Sequence, residues 1–279
     1  MTAVRTPAVA GQFYEGTEAG LRTQIESVFH HDLGPGALPA GGEGDPDTGL
    51  SALVSPHAGY PYSGPVAAHG YGALAETGEP NVVVIIGPNH SGFGDAIALT
   101  EAERWQTPLG TVPVDRELSE QILEASSTAT ADERTHAGEH SIEVQVPFLQ
   151  YLFEDVAIVP IAMTRQEEAT ATAFAETLHS VLEGYDGYAV VVASTDLTHY
   201  EPQSIAEQKD RQAIDRMVDL DVPGLYETIA TENISMCGYG PTAVALHVAA
   251  ESGATGGDLL QYATSADTTG STNEVVGYA

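Results

Sequence analysis

The stretch Asn81-Val-Val-Val-Ile-Ile-Gly-Pro-Asn-His90-Ser-Gly92 carries the pattern that decides the fold. A run of β-branched apolar residues that ends at a Gly-Pro pair is typical of a strand buried on both faces, as in a parallel sheet. His90 follows directly after the predicted strand. The sequence therefore places an imidazole at the carboxyl end of a central strand.

The same arrangement occurs twice more along the chain. It is found in Leu50-Ser-Ala-Leu-Val-Ser-Pro-His57 and in Tyr188-Ala-Val-Val-Val-Ala-Ser-Thr-Asp196-Leu-Thr-His199. Open parallel sheets bind their ligands outside the carboxyl ends of the strands. We therefore expect the side chains at these three strand ends to contribute to one shared site.

Predicted strands and helices alternate along almost all of the 279 residues, and no internal repeat is present. This alternation predicts a single α/β domain over residues 1–279, with a mostly parallel or mixed sheet and helices on both faces. Residues 35–49, rich in Gly, Pro and Asp, predict an exposed loop within that domain. A helix is predicted over Glu139–Phe153, with Pro147 as a point where it breaks or kinks. A strand is predicted over Leu259–Thr264.

The charge of the chain is strongly negative. It contains 40 acidic and 9 basic residues, for a formal net charge of -31. Such a surface repels phosphate backbones and anionic lipids, so neither nucleic acid nor a membrane is expected as a partner. The same repulsion destabilises a compact fold at low salt, whereas about 1 M salt shortens its range to about 3 Å. We therefore predict a halophilic protein, with an acidic protein from an ordinary host as the alternative. Thermal unfolding in rising KCl tests this, and stability unchanged by molar KCl would contradict the halophilic origin.

The location of the protein is predicted from two further features. No apolar stretch approaches the roughly 20 residues of a membrane span, and no basic segment followed by an apolar one opens the chain. Cys237 is the single cysteine, which excludes an internal disulfide and fits a reducing compartment. These features predict a cytoplasmic protein.

Candidate metal ligands stand at three turns, namely His57, His90 and Cys237. Imidazole and thiolate suit iron, copper or zinc, and a set of three ligands leaves coordination positions open. Gly and Pro surround all three residues and allow a backbone to approach a ligand closely. Cys237 precedes a helix predicted from Pro241, and a helix N-terminus favours the thiolate. The alternative is that each is an ordinary structural residue.

Asp196 and His199 follow the third strand at a spacing that predicts one side of a helical first turn. The carboxylate of Asp196 is suited to binding a metal or to orienting an imidazole, and His199 is suited to the role of general base. The alternative for Asp196 is that it caps a helix, which does not exclude a chemical role.

The segment His136-Ala-Gly-Glu139-His140-Ser-Ile-Glu143 contains the residue order of an inverted zinc-peptidase motif, H-x-x-E-H. That motif requires one helix to carry both histidines, and Gly138 disfavours a helix by about 1 kcal/mol relative to alanine. We therefore favour a supporting role for His140, and keep a zinc peptidase at His136, Glu139 and His140 as an alternative. Neither a G-x-G-x-x-G nor a Walker loop is present, so a nucleotide cofactor is not expected.

Together these motifs resemble the Memo family, named after the mediator of ErbB2-driven cell motility; prokaryotic members are also called AmmeMemoRadiSam system protein B. The motifs appear in order along nearly the whole chain: Arg5-Thr-Pro-Ala-Val-Ala-Gly-Gln-Phe-Tyr14, Pro56-His57-Ala-Gly-Tyr60, Gly87-Pro-Asn-His90, Glu139-His140-Ser-Ile-Glu143, Ser194-Thr-Asp196-Leu-Thr-His199 and Cys237-Gly-Tyr-Gly-Pro241.

The resemblance implies a fold like that of the class III extradiol dioxygenases, which hold non-haem Fe(II) on two His and one carboxylate. It implies metal binding by His57, His90 and Cys237, with Asp196 and His199 lining the same pocket. Fe(II) is the leading ion, with copper or zinc as alternatives. Because a thiolate stands where the dioxygenases have a carboxylate, ring cleavage does not follow from the resemblance.

Two functions remain open from the sequence. The first is a non-haem iron oxidoreductase, in which the metal site binds a small molecule or oxygen and performs dioxygenase-like redox chemistry. The second is a non-catalytic module that binds a peptide or a protein in the same cleft. The resemblance further implies association with radical-SAM and AMMECR-type proteins.

Overall fold

The run of valine and isoleucine around position 84 forms the centre of the sheet. In the computed structural model of the protein, Val82–Pro88 is a strand in which every residue is buried. Val84 and Ile86 enter the core on one face of the sheet, whereas Val83 and Ile85 enter the core on the other. Alternate residues of a strand point to opposite faces, so an uninterrupted apolar run serves two cores at once.

Strands and helices alternate through the parts of the chain that the structure describes, residues 3–41 and 51–279. In chain order the strands are β1 (Val4–Arg5), β2 (Ala52–Ser55), β3 (Val82–Pro88), β4 (Ile97–Leu99), β5 (Arg104–Thr107), β6 (Gly110–Pro113), β7 (Ala129–Ala131), β8 (Ala157–Met163), β9 (Ala189–Ser194), β10 (His199–Glu201), β11 (Ala263–Thr264) and β12 (Val275–Tyr278). The helices are α1 (Glu18–Phe29), α2 (Tyr60–Glu76), α3 (Arg116–Ala125), α4 (Glu133–His136), α5 (Val146–Leu152), α6 (Glu168–Glu183), α7 (Gln203–Val218), α8 (Val222–Glu232), α9 (Tyr239–Glu251) and α10 (Ser265–Thr269).

The main sheet contains six strands in the order β2-β9-β3-β8-β4-β7. The strands β2, β9, β3 and β8 run parallel to one another, whereas β4 is antiparallel to β8 and parallel to β7. Smaller sheets form in the orders β1-β5-β6 and β10-β12-β11. The predicted α/β fold with a mixed sheet is confirmed, and the carboxyl ends of β2, β9 and β3 meet at one edge.

Helices cover both faces of the main sheet. Helices α3, α6, α7, α8 and α9 pack on one face, and α1, α2 and α5 pack on the other. In α6 the residues Ala171, Phe174, Ala175 and Leu178 are buried, which is the spacing of one helix face. Within the described residues, every helix is too short or too polar to cross a bilayer.

Some predicted boundaries need correction. The helix predicted over Glu139–Phe153 is wrong at its start, because a 3-10 turn at Glu143–Gln145 leads into α5 at Val146. Pro147 lies in the first turn of α5, where its missing N–H costs no helical bond. Of the strand predicted over Leu259–Thr264, only β11 forms. In the predicted loop 35–49, residues 35–41 form neither helix nor strand, and residues 42–49 lie outside the described residues.

Candidate metal centre

Three imidazoles meet at the carboxyl edge of the main sheet. His57 follows β2, His90 follows β3, and His140 lies in the connection between α4 and α5. One ring nitrogen from each lies within 4.8 Å of the others. The ring centroids of His90 and His140 are 4.5 Å apart, and that of His57 is 5.2 Å from the first and 5.4 Å from the second. Two nitrogens on one ion with bonds of about 2.0–2.1 Å are at most about 4.2 Å apart, so the three rings would move slightly closer together around a bound ion.

The proton on the His57 ring is fixed by its neighbours. Its Nδ1 lies 2.9 Å from Ser194 Oγ, at the last residue of β9. That hydroxyl donates its own hydrogen to Ser141 O, 2.6 Å away, and accepts one from Gln145 Nε2 at 2.8 Å. Since the hydroxyl hydrogen is already used, Nδ1 of His57 must be the donor. Its Nε2 therefore presents a lone pair to the pocket.

Burial lowers the pKa of His57 well below its usual value, and the neighbouring His140 and His90 lower it further. The ring is therefore neutral at physiological pH. A neutral imidazole with a free Nε2 lone pair is the form that binds metal ions.

His90 is oriented by a carboxylate. Its Nδ1 lies 2.9 Å from Glu139 Oε1, and its backbone N–H donates to Glu139 Oε2 over 2.6 Å. Burial alone would raise the pKa of Glu139, but the hydrogen bond and charge of His90 and the Ser141 N–H outweigh it and lower the pKa to about 2. The ionised carboxylate accepts the Nδ1 proton, which leaves Nε2 of His90 free. Carboxylate-His pairs of this kind orient metal ligands in many proteins.

His140 reaches the site from the loop, not from a strand end. It stacks on His90 at an interplanar angle of 25° and contacts the Phe13 ring, 4.7 Å between centroids. Burial lowers its pKa. Gly87 permits the approach of this loop, because a Cβ at that position would lie 2.3 Å from Ser141 Oγ. The sequence predicted a supporting role for His140, whereas its ring lies among the candidate ligands.

Cys237 lies beside His57. Its Sγ is 3.3 Å from His57 Nε2 and accepts the backbone N–H of Asp196 at 3.2 Å. The residue as a whole is half-buried, but these contacts enclose its sulfur, and burial raises the thiol pKa to about 12. The expectation that the N-terminus of α9 favours the thiolate is therefore wrong for the metal-free pocket. A bound cation reverses this, because a coordinated thiol loses its proton.

Asp196 supports the backbone that carries His57. Its Oδ1 accepts the N–H groups of His57 at 2.8 Å and Ala58 at 3.3 Å, and its Oδ2 lies 4.0 Å from His57 Nε2. Burial raises its pKa. The predicted helical turn after Asp196 is wrong, because the chain continues into β10. The alternative of a helix cap fails for the same reason.

His199, the first residue of β10, is held with one ring nitrogen free. Its Nδ1 lies 2.7 Å from Leu197 O and 3.0 Å from Ser235 O. Two carbonyl acceptors require a proton on Nδ1, so the lone pair of the neutral ring lies on Nε2, where a general base needs it. The next residue, Tyr200, has a φ of 59°, and such left-handed non-glycine residues cluster at functional sites.

The geometry does not fit a zinc peptidase at His136, Glu139 and His140. Helix α4 ends at His136, so one helix does not carry both histidines. Nε2 of His136 lies 3.0 Å from Ala98 O, and its ring packs against Trp105. Glu139 is engaged by His90.

Several supporting residues were missed by the sequence analysis. Ser194 and Phe13 contact the candidate ligands His57 and His140, and Gln145 donates to Ser194, yet no ligand-like spacing marks the three residues. Ser194 could have been found as the buried last residue of the strand that ends at the site. Phe13 and Gln145 come from distant segments and carried no such signal.

A mixed α/β sheet that gathers three imidazoles and a thiol at its carboxyl edge defines a protein with a candidate metal centre. The family model described as Memo-like protein matches residues 5–279. The chain therefore belongs to the Memo family, and the resemblance found in the motifs is confirmed.

Similar relatives are MEMO1 family proteins of three archaea. That of Methanothermobacter thermautotrophicus is 48% identical, with 99% of each chain covered. That of Methanopyrus kandleri is 49% identical and that of Pyrobaculum aerophilum 48% identical, each with 99% of this chain and 97% of the relative covered. The similarity thus extends over nearly the whole chain.

Proposed function

We propose that this Memo family protein binds a non-haem metal ion on His57, His90 and His140, with Cys237 as a fourth donor. A small molecule or oxygen would bind at the remaining coordination positions. The observation that carries the proposal is the approach of the three imidazoles, whose nitrogens lie within 4.8 Å of one another. Protonated imidazoles repel one another, so three rings this close together without an anionic partner are neutral. Neutral imidazole is the form that binds a metal ion.

The donor chemistry favours a transition metal. Imidazole and thiol donors suit iron, copper and zinc, whereas Mg²⁺ and Ca²⁺ prefer sets of oxygen ligands. The Sγ of Cys237 and the Nε2 of His57 are 3.3 Å apart, which fits two ligands of one ion with bonds of about 2.0–2.3 Å. Fe(II) is the ion that we propose first, because the resemblance to the extradiol dioxygenases implies it. When bound, iron would supply Lewis-acid and one-electron chemistry.

The residues around the donors are suited to moving protons. Nε2 of His199 carries a lone pair, so this residue can accept a proton from a bound substrate. Asp196 has a raised pKa through burial, so its carboxyl group can hold a proton beside the pocket. Cys237 is oxidisable, and its two-electron oxidation by a peroxide to a sulfenic acid, with the peroxide reduced to water or an alcohol, would change the donor set. These roles fit an oxidoreductase.

Metal analysis tests the proposal. The protein is purified without a chelator and without a nickel-binding tag, loaded anaerobically with Fe(II), and the bound iron is measured. We expect about one ion per chain, and loss of that ion in a His57→Ala, His90→Ala double variant. His30→Ala is the matched control, because His30 is an exposed histidine at the end of α1. Equal iron content in the double variant and the control would contradict the proposal.

A second candidate function is peptide or protein binding in the same cleft. Phe93 and Tyr200 are 79% and 75% exposed, and each follows a candidate site residue, His90 or His199, closely in the chain. Exposed aromatic side chains are enriched at protein interfaces. The partners implied by the resemblance, radical-SAM and AMMECR-type proteins, are candidates for this surface.

Selection from a displayed peptide library tests this second function. With the metal-free protein as bait, we expect enriched peptides that no longer bind a Phe93→Ser, Tyr200→Ser variant. A Tyr151→Ser variant, altered on a different part of the surface, is the control. Enrichment that survives in the Phe93, Tyr200 variant would exclude this surface, and the absence of any enrichment would exclude peptide binding.

A further inference from the structure

The carboxylate of Glu143 is buried and receives donors from the N-terminal segment, residues 5–14. Arg5 forms an ion pair with Glu143 Oε2, which also accepts the N–H of Ala8 at 2.8 Å. Glu143 Oε1 accepts the N–H of Val9 at 3.0 Å and the hydroxyl of Tyr14 at 2.6 Å. A motif at the start of the chain therefore closes around one residue of the loop that carries His140.

Arg5 holds the same loop at two further points. Its guanidinium donates to His136 O from Nε at 3.1 Å and from Nη2 at 3.0 Å, and to Glu139 O at 2.7 Å. The guanidinium also lies 4.3 Å from the centre of the Trp105 ring. Arg5 is only 4% exposed, and a buried cation is costly unless all its donors are used. Here the donors fix both ends of the short segment 136–139.

The other side of this segment faces the candidate metal centre. The side chain of Glu139 binds the Nδ1 of His90 and accepts the backbone N–H groups of His140 at 2.9 Å and Ser141 at 2.8 Å. Arg5 thus holds the backbone carbonyl of Glu139. The carboxylate of Glu139 orients the imidazole of His90, and the next residue in the chain is His140. The ion pair between Arg5 and Glu143 joins residues that are 138 positions apart in the sequence.

We infer that Arg5 and Glu143 are positioning residues for the metal centre, which hold Glu139 and His140 at the distance that a shared ion requires. This inference rests on the proposed function. Neither residue touches the pocket, so both act only through the loop. We call the contacts between the N-terminal segment, residues 5–14, and the motif Glu139-His140-Ser-Ile-Glu143 the clamp.

Two conservative variants test the clamp. Arg5→Lys keeps the charge but loses the planar set of donors, and Glu143→Gln keeps the shape but loses the ion pair. We expect each to weaken Co²⁺ binding about tenfold, as measured by competition with a chromophoric chelator. In the metal-free protein, hydrogen exchange at the N–H groups of His140 and Ser141 should accelerate about tenfold, while exchange within β3 stays unchanged.

Two controls distinguish the proposed positioning role of Arg5 from a purely structural one. Leu178→Ala truncates a buried residue of α6 on the opposite face of the sheet, so it lowers stability without touching the loop. If loss of stability alone weakens Co²⁺ binding, Leu178→Ala and Arg5→Lys will weaken it equally, and the inference is overturned. In a Glu139→Ala, His140→Ala background, Arg5→Lys should change Co²⁺ affinity less than about twofold, because the clamp acts through these two residues.

Failure of the clamp differs from failure of the proposed function. If the wild-type protein binds no Co²⁺, the proposed function is contradicted, and the exchange measurement still decides whether Arg5 orders the loop. If Arg5→Lys and Glu143→Gln bind Co²⁺ as tightly as the wild type does, only the clamp is contradicted.

Discussion

The candidate centre has two halves that are built differently. His57 and His90 follow β2 and β3, two parallel strands that are separated by β9, which pairs with both. His140 and Cys237 come from loops, and contacts across 138 and 180 positions of sequence hold them in place. The sheet register therefore fixes the first pair, whereas the second pair depends on the assembly of the whole domain. The difference predicts which substitutions abolish metal binding and which only weaken it.

Loss of a strand-end imidazole should have the largest effect. His57→Ala or His90→Ala removes a donor that the sheet holds rigidly. We expect metal affinity to fall at least about 100-fold, which equals or exceeds the largest loss expected when a residue that only supports a ligand is removed. His140→Ala should lower metal affinity less, because a loop holds its donor less rigidly than the end of a sheet strand does. Isothermal titration with Zn²⁺ measures all three. Equal losses for the three variants would erase the difference between the two halves.

The pH dependence of binding tests the second loop donor. Cys237 is a neutral thiol through pH 9, because burial raises its pKa to about 12, and its binding to an ion must release a proton. Affinity for Zn²⁺ should therefore rise about tenfold per pH unit between pH 7 and 9. His57 adds nothing to this slope, because its lowered pKa leaves it neutral throughout. Cys237→Ser should flatten the slope, and a wild-type profile that is already flat would exclude the thiol as a ligand.

Glu139 connects the two halves, because it binds His90 and the backbone of His140. Glu139→Gln should lower metal affinity by roughly 10–100-fold, since an amide cannot accept the Nδ1 proton of His90 as strongly as the carboxylate does. Glu154→Gln, on an exposed turn, is a matched control with the same change of charge. Affinity that falls equally in both variants would attribute the effect to net charge alone.

Ser194→Ala should have a smaller effect. The variant removes the acceptor that fixes the His57 proton on Nδ1, so we expect metal affinity to fall about tenfold while the sheet stays intact. Nitrogen-15 chemical shifts of the His57 ring should report a mixture of tautomers. A ring that keeps its Nδ1 proton in this variant would mean that Ser194 does not control the tautomer.

The sheet and its strand ends could be predicted from the sequence because their signals are local. The apolar runs before His57, His90 and Asp196 each end in turn formers within a few residues. A buried parallel strand must carry such a run, and its carboxyl end has only one edge to reach. Those predictions therefore needed no knowledge of distant contacts.

For the loop half the sequence predicted Cys237 as a ligand and a supporting role for His140, but not the position of the His140 ring or the protonation of the thiol, because their determinants are distant. The place of His140 depends on Arg5 and on the absence of a side chain at Gly87, and neither is visible in the residues around position 140. The pKa of Cys237 was predicted from a helix terminus, but enclosure by other segments decides it. The local sequence identifies the type of donor, whereas tertiary packing determines where the donor atom lies and whether it is protonated.

X-ray absorption at the metal edge of the zinc-substituted protein shows whether the proposed donors bind one ion. We expect three imidazole nitrogens at about 2.0–2.1 Å and one sulfur at about 2.3 Å, with one imidazole lost in His140→Ala and the sulfur lost in Cys237→Ser. A spectrum that is unchanged in the His57→Ala, His90→Ala double variant would contradict this expectation, because the ion would then lie elsewhere.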